Sequence, residues 1–138
     1  MEKANITVQA TVNVSPARAW QLWNGPEHIV KWNFAVPEWH TPTASNDLKV
    51  CGKLKSRMEA KDGSMGFDFE GTYTELKENE LIEYMIADGR KVTIHFKAKG
   101  SGTEITETFE AENQNPVEMQ RNGWQAILNN FKKYAESF

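Results

Sequence analysis

Cysteine is almost absent from this chain of 138 residues, in which Cys51 stands alone. A single cysteine excludes an internal disulfide bond and a sulfur-rich metal site. Long apolar runs are lacking as well, and without about 18 consecutive apolar residues no membrane-spanning helix is predicted. The start of the chain, MEKANITVQATV, alternates and has no apolar stretch of the kind that a signal peptide requires. These absences predict a cytoplasmic location.

An excess of positive charge is also lacking, because 19 acidic residues outnumber 16 basic ones and the net charge is −3. Proteins that bind DNA or RNA usually carry a basic patch or stripe, so no nucleic-acid partner is predicted. The histidines His28, His40 and His95 have no metal-ligand spacing with one another or with Cys51, so no metal site is predicted. Serine-nucleophile, phosphate-loop and dinucleotide motifs are absent too, and no cofactor is predicted.

The length of the chain predicts a single domain over residues 1–138. Apolar and polar residues alternate over Ile6–Val14, which predicts a half-buried strand. The dipeptide Ser15-Pro16 then favours a helix start, and two short helices are predicted over residues 15–23 and 27–32. Isolated short helices are marginal in water, so these two require a sheet to lie on.

The middle of the chain repeats the alternation in short segments that turn signals separate. Asp62-Gly63 and Asp88-Gly89 are strong hairpin signals, and hairpins join neighbouring antiparallel strands. Residues 34–43 contain two prolines and are predicted to form a loop, although Glu38–His40 also suits a short edge strand. The predicted strands of this meander are 44–50, 53–61, 66–76, 81–87, 91–99 and 103–112.

The last predicted element is a long helix, Pro116–Phe138, with apolar residues at every third or fourth position. Its length of roughly 35 Å, at about 1.5 Å per residue, is enough to cross a small sheet. Gly123 costs about 1 kcal/mol relative to alanine inside a helix, and we predict that a close approach of helix to sheet explains it. The predicted fold is of the α+β class, with a curved antiparallel β-sheet wrapped around the long C-terminal helix.

Several local sequences resemble one family along nearly the whole chain. They are Ser15–Trp20, Pro26–Trp32, Asn46–Lys49, Arg57–Ala60, Phe67–Tyr73 and Asn122–Gln125. The order of elements is that of the helix-grip fold, and these segments resemble the family named for the activator of the heat-shock protein 90 ATPase, within the START/polyketide-cyclase (SRPBCC) superfamily. The resemblance implies a pocket domain, since some members bind hydrophobic small molecules. At Cys51 the family often has a glycine, so the backbone here is less free.

Glu107 departs from the apolar pattern of the predicted core. By alternation, the side chains of Ile105, Glu107 and Phe109 share the core side of the last predicted strand. A buried carboxylate without a partner costs several kcal/mol or becomes neutral through a raised pKa. We predict that Glu107 meets a donor, either Tyr73, Trp124 or a ligand. A bulge that turns Glu107 to solvent and an ordinary structural hydrogen bond are the alternatives that stay open.

The other candidate pocket residues face inward and are mostly aromatic. Ligand pockets are mainly apolar with a few placed polar groups, and a buried tyrosine hydroxyl requires a hydrogen-bond partner. The same side chains also suit a solid core, and both interpretations stay open. Trp39 and His40 are predicted at the mouth of the pocket, on a loop over the sheet. The remainder of the predicted pocket comprises Met58, Phe67, Phe69, Tyr73, Phe96, Glu107, Phe109, Trp124, Ile127 and Phe131.

Three functions are compatible with this pattern. The first is a pocket protein without catalytic activity that binds a hydrophobic small molecule or lipid. The second is an enzyme of the cyclase or hydrolase type, in which Glu107 acts as a general base assisted by Tyr73 or His40. The third, implied by the resemblance alone, is an interaction module that acts on a chaperone. The sequence predicts neither the identity of the ligand nor the oligomeric state.

Overall fold

Seven β-strands and three α-helices form the described part of the chain, residues 5–112 and 115–137, in the computed structural model. Their order confirms the predicted α+β class and the helix-grip architecture. The elements are β1 (Asn5–Val12), α1 (Pro16–Asn24), α2 (Pro26–Trp32), β2 (Trp39–Asn46), β3 (Lys53–Ala60), β4 (Gly66–Lys77), β5 (Leu81–Ile86), β6 (Lys91–Lys99), β7 (Gly102–Glu110) and α3 (Val117–Ala135).

The seven strands form one curved antiparallel sheet with the order β1-β7-β6-β5-β4-β3-β2. Strands β2 to β7 follow one another as antiparallel neighbours, as the hairpin signals predict. Strand β1 pairs with β7, so the first and last strands are adjacent. Helix α3 packs against β1, while α1 packs on β6 and α2 on β2. The three helices therefore cover the same face of the sheet, and the core lies between the two layers.

Side chains of α3 occupy the free edge of β1. The amide of Gln125 donates to the carbonyl of Gln9 at 3.1 Å and accepts from its N–H at 3.4 Å. Two turns further along, the ammonium of Lys132 donates to the carbonyl of Thr11 at 2.7 Å. An unpaired strand edge is a template for pairing with another chain, so these contacts both fasten the helix and block that edge.

The opposite edge of the sheet is where the strand prediction is partly wrong. Strand β2 runs over Trp39–Asn46, whereas a loop over 34–43 and a strand over 44–50 were expected. Its pairing with β3 shifts register between His40 and Thr43, an interval that contains Pro42. Proline cannot donate to a strand ladder and is tolerated at edges and bulges. The strand therefore continues past the proline, and the chain turns after Asn46.

The predicted alternation of buried and exposed side chains is confirmed for most strands. On β7, Ile105 and Phe109 are at most 1% exposed, and on β6 His95 faces solvent as predicted. Ala98 is exposed although its parity places it inside, because it lies next to the turn that ends β6. The alternation of side chains along a strand therefore predicts well which face of the sheet a residue lies on, except near the end of the strand.

The explanation predicted for Gly123 is wrong. A Cβ atom added at this position would meet no heavy atom within 4 Å, so the helix does not approach the sheet closely there. The start of α1 does match its prediction, since the Ser15 hydroxyl accepts the N–H of Arg18 at 3.2 Å. No helix in the described part of the chain is long and apolar enough to cross a membrane.

Candidate functional site

A cavity of about 190 Å³ lies between the concave face of the sheet and the three helices. Its wall receives residues from α1, α2 and α3 on one side and from β2, β3, β4, β5 and β7 on the other. Most of the lining side chains are aromatic or aliphatic. Burial raises the pKa values of Glu107 and Tyr84, and both residues lie on the floor that the sheet provides.

Regular strand pairing places Glu107 in the cavity floor. On β7 its neighbours across the sheet are Val8 of β1 and Ile94 of β6, which are both buried on the same face. The register is continuous on either side, so the alternative of a bulge at Glu107 is excluded. The side chain is only 5% exposed. An acid therefore occupies a row of aliphatic residues because alternation along β7 leaves it no other direction.

The carboxyl of Glu107 opens into the cavity. Burial alone raises the pKa of Glu107, to about 8. None of the described residues donates a hydrogen bond to it, so the predicted pairing with Tyr73 or Trp124 does not occur. No described side-chain oxygen is both fully enclosed and unpartnered, so the carboxyl oxygens face the cavity space. At neutral pH this carboxyl is predominantly protonated.

Tyr84 is a second polar group of the floor, which the sequence reasoning did not single out. It lies on β5, paired across the sheet with Tyr73 and Val92. Burial, and next the nearby charge of Glu107, raises the pKa of the Tyr84 hydroxyl well above its ordinary value. The sequence signal for Tyr84 is its position two residues after Ile82 on β5, because alternation places both side chains on the same face, and both are buried there.

Tyr73 is tied to the helical layer by a chain of hydrogen bonds. Its hydroxyl donates to Oδ1 of Asn46 at 2.5 Å, and Nδ2 of Asn46 donates to the carbonyl of Asn24 at 2.8 Å. Burial raises the pKa of Tyr73, so the phenol stays neutral at physiological pH. The chain links β4 through β2 to the end of α1. It holds that side of the wall in place.

Three tryptophans supply most of the helical wall. The indole of Trp124 on α3 stacks on Phe109, with ring centroids 3.9 Å apart and an angle of 14° between the planes. Trp23 and Trp32 lie with centroids 4.8 Å apart, and Trp32 Nε1 donates to the carbonyl of Leu22 at 3.1 Å. Each of these indoles packs against a phenylalanine ring of the core, Phe131 or Phe109.

The structure brings together seven of the predicted pocket residues. They come from three strands and from α3, and Phe67 remains 49% exposed although it lines the cavity. Because it belongs both to the wall and to the surface, Phe67 marks where the cavity meets solvent. The seven residues are Met58, Phe67, Phe69, Tyr73, Glu107, Trp124 and Ile127.

Three predicted aromatic residues fill the core behind the wall and do not line this cavity. Phe109 lies under Trp124. Phe131 packs edge-on against Trp23, with ring centroids 4.8 Å apart. Phe96, on the sheet side, packs edge-on against the same Trp23, with ring centroids 5.8 Å apart. The tryptophans therefore occupy the positions between these phenylalanines and the cavity.

Trp39 and His40 also lie outside the cavity wall. The ring of Trp39 faces that of Phe67, with centroids 6.0 Å apart, so it supports the mouth from β2. His40 is 41% exposed at its side chain and lies 3.9 Å from the carboxylate of Glu59.

Ten residues of the wall were not predicted. Four of them belong to the short helices α1 and α2, whose docking positions are not visible in local periodicity, and the others come from β2, β3, β5 and the residue after α2. They are Trp23, Asn24, Ile29, Trp32, Asn33, Asn46, Leu54, Ser56, Ile82 and Tyr84.

A curved antiparallel sheet that holds a long helix defines the class of helix-grip proteins. The chain belongs to the family described as activator of Hsp90 ATPase homolog 1-like protein, whose sequence model matches residues 13–136. No protein with a curated description matches the chain.

Solved structures agree with this assignment. The AHSA1-like protein from Aeromonas hydrophila is 40% identical, with a TM-score of 0.91 over 97% of this chain and 93% of that one. The protein Chr148 from Cytophaga hutchinsonii is 54% identical, with a TM-score of 0.84 over 96% and 92%. Protein CV1439 from Chromobacterium violaceum shares the fold alone, at 22% identity and a TM-score of 0.86 over 96% and 98%.

Proposed function

We propose that this protein binds a small, predominantly apolar molecule in the cavity between sheet and helices. The observation that carries the proposal is a cavity of about 190 Å³ with a mainly aromatic and aliphatic wall and a few polar groups. Ligand sites combine these two features, since apolar surface supplies affinity and a few polar groups set the orientation. The carboxyl of Glu107, which opens into the space without a partner among the described residues, is the natural polar anchor.

The size of the cavity favours a compact ligand over a whole lipid. An engineered apolar cavity of about 150 Å³ accommodates benzene, so the present volume suits a molecule of one or two rings. An acyl chain would have to extend past Phe67 into solvent, because that residue is where the wall meets the surface. We therefore place a small ring compound ahead of a lipid among the proposed ligands.

Thermal unfolding in the presence of a compound library tests the proposal. A ligand that binds only the folded protein raises the melting temperature by mass action. We expect small aromatic compounds to do so, and native mass spectrometry to detect the one-to-one complexes. The variant Ile127→Trp fills the cavity from α3 and has to abolish the shifts. Val117→Trp introduces the same side chain at an exposed position of the same helix and has to preserve them. Equal shifts in both variants contradict the cavity as the site.

Catalysis by Glu107 is a second candidate function that one observation favours. General acid–base groups work best when their pKa lies near the operating pH, and burial raises the pKa of Glu107 to about 8. The reaction would be of the cyclase or hydrolase type. Mass spectrometry of a bound compound after prolonged incubation tests this candidate. A product of changed mass or changed chromatographic retention that Glu107→Gln suppresses supports catalysis, whereas an unchanged compound in every case leaves binding alone as the function.

A further inference from the structure

The cavity wall has an acid but no base. Among the described residues that line it, Glu107 is the one carboxyl group, and none is Lys, Arg or His. A bound anion would find no opposite charge in this apolar space. It would also be repelled by Glu107 whenever that side chain is ionised. A ligand that carries a positive charge, in contrast, has one counter-charge available, and that group has no competing partner among the described residues.

The rest of the wall is suited to a cation as well. Aromatic ring faces carry partial negative charge and attract organic ammonium groups, most strongly when water is excluded. Seven of the 17 described lining residues are aromatic and come from both layers. They are Trp23, Trp32, Phe67, Phe69, Tyr73, Tyr84 and Trp124.

We propose that the ligand is a small arylalkyl amine that binds as its ammonium form, with the nitrogen on the carboxylate of Glu107 and the ring against the aromatic wall. This inference rests on the proposed binding function and specifies its ligand class. The volume of about 190 Å³ limits the amine to one or two rings. The acid on the floor and the tryptophans of the helical layer then contact the opposite ends of the same molecule.

Binding of such an amine releases a proton. Burial keeps Glu107 protonated at pH 7, since its pKa is about 8. The ammonium N–H displaces the carboxyl proton, which passes to water, and the carboxylate then accepts the N–H. No bond other than this O–H bond breaks.

The groups packed around Glu107 do not compensate for its charge. Val8 and Ile94 flank it on β1 and β6, and Trp124 lines the cavity from α3. The phenols of Tyr73 and Tyr84 remain neutral, because burial raises both of their pKa values. Well below pH 8, the affinity for an amine is therefore expected to increase by about tenfold for each unit by which the pH rises, and by less as the pH approaches 8.

Titration calorimetry with three probes of similar size tests the inference. The probes are 2-phenylethylamine, 2-phenylethanol and 3-phenylpropionate, which carry a positive, a neutral and a negative group on similar frameworks. We expect the amine to bind at least about tenfold more tightly than the alcohol at pH 7.5, a difference of about 1.4 kcal/mol. Repeating the titration at pH 7.5 in buffers of different ionisation enthalpy has to show release of well over half a proton per bound amine.

The variant Glu107→Gln removes the counter-charge and keeps the shape of the side chain. It is expected to lose the preference for the amine over 2-phenylethanol and to release no proton. The circular dichroism spectrum and the melting temperature establish that it is folded. The pH dependence of the unmodified protein between pH 6 and 8 gives the same test without any variant.

The outcomes separate the two proposals. Equal affinities for amine and alcohol, or a preference for the propionate, overturn the amine inference and leave the cavity as a binding site for neutral compounds or acids. An amine preference that survives in Glu107→Gln also overturns it. Failure of all three probes, together with no shift from any compound in the thermal screen, overturns the binding function itself.

Discussion

The ring of Tyr84 lies directly over Gly71 on the neighbouring strand. A Cβ atom at position 71 would stand 2.5 Å from Cδ2 of Tyr84, well inside van der Waals contact. Strand pairing brings the two together, because Gly71 lies opposite Ile86, two residues from Tyr84. The absence of a side chain at position 71 therefore gives the Tyr84 ring its position on the cavity floor.

Replacing Gly71 with alanine is expected to destabilise the protein by about 1–3 kcal/mol, since overpacking in a filled core forces neighbouring side chains off their rotamers. Chemical denaturation measures the loss. In a Tyr84→Ala background the same replacement is expected to cost much less, because the clashing ring is gone. Equal costs in both backgrounds contradict the assigned contact.

Replacing Glu107 with glutamine is expected to change how stability depends on pH. Burial raises the pKa of Glu107 from 4.5 to about 8, so between these values the folded protein holds a proton that the unfolded chain has released. The contribution of Glu107 to stability is therefore fully present below pH 4.5 and is lost as the pH rises through 8. Glutamine does not ionise, so the variant gains about 3 kcal/mol relative to the unmodified protein between pH 5 and pH 8.

Urea denaturation of both proteins at pH 5, 6.5 and 8 measures how their stabilities depend on pH. Glu104→Gln is the matched control, because it removes a carboxylate from the same strand but from the face that pairs with Lys99. Relative to the unmodified protein, the free energy of unfolding of Glu104→Gln has to change less between pH 5 and pH 8 than that of Glu107→Gln. Parallel stability curves for Glu107→Gln and the unmodified protein would disprove the assignment of a buried, protonated acid.

Replacing Cys51 with glycine is expected to stabilise the protein by about 0.5–1 kcal/mol, since residues with a side chain are strained in the left-handed region. Cys51 has a φ of 72°. Its N–H donates to the carbonyl of Tyr73 at 2.9 Å, which holds it in that conformation. Asn79→Gly is the control, because Asn79 has a φ of 66° and asparagine tolerates this region. A thermal melt in which Asn79→Gly gains more than Cys51→Gly contradicts the explanation.

Replacing Gly123 with alanine is expected to stabilise the protein by about 1 kcal/mol, the difference in helix propensity between the two residues. The added methyl group meets no atom within 4 Å, so no packing cost offsets this gain. The melting temperature of the variant measures the effect. A decrease in melting temperature would contradict the open space beside this position.

The inward position of Glu107 illustrates what local pattern predicts. Alternation along β7 depends only on backbone geometry, and the regular pairing with β1 and β6 preserves it. Of the alternatives left open at the sequence level, the bulge is excluded by that register. The structural hydrogen bond is excluded for the described residues. The interaction with a chaperone, which the family resemblance implies, stays a prediction because no contact described here bears on it.

Assignment of aromatic residues to core or cavity illustrates what local pattern leaves undecided. Phe96 and Phe131 have the same inward parity or helical stripe as true wall residues, yet Trp23 lies between them and the space. That arrangement depends on where α1 and α2 settle on the sheet. Both helices are short, so their docking follows from contacts that are distant in sequence and not from their own periodicity.

The sequence by itself determined the succession of helices and of the strands after the first hairpin, the face of most strand residues, and the family to which the chain belongs. Periodicity and turn chemistry act over a few residues and can be read directly along the chain. Only the tertiary structure decided that the layers enclose a space, that Tyr84 joins Glu107 at its floor over Gly71, and that tryptophans rather than phenylalanines form its helical wall. Those outcomes depend on how side chains from separate elements share one volume, which no local pattern specifies.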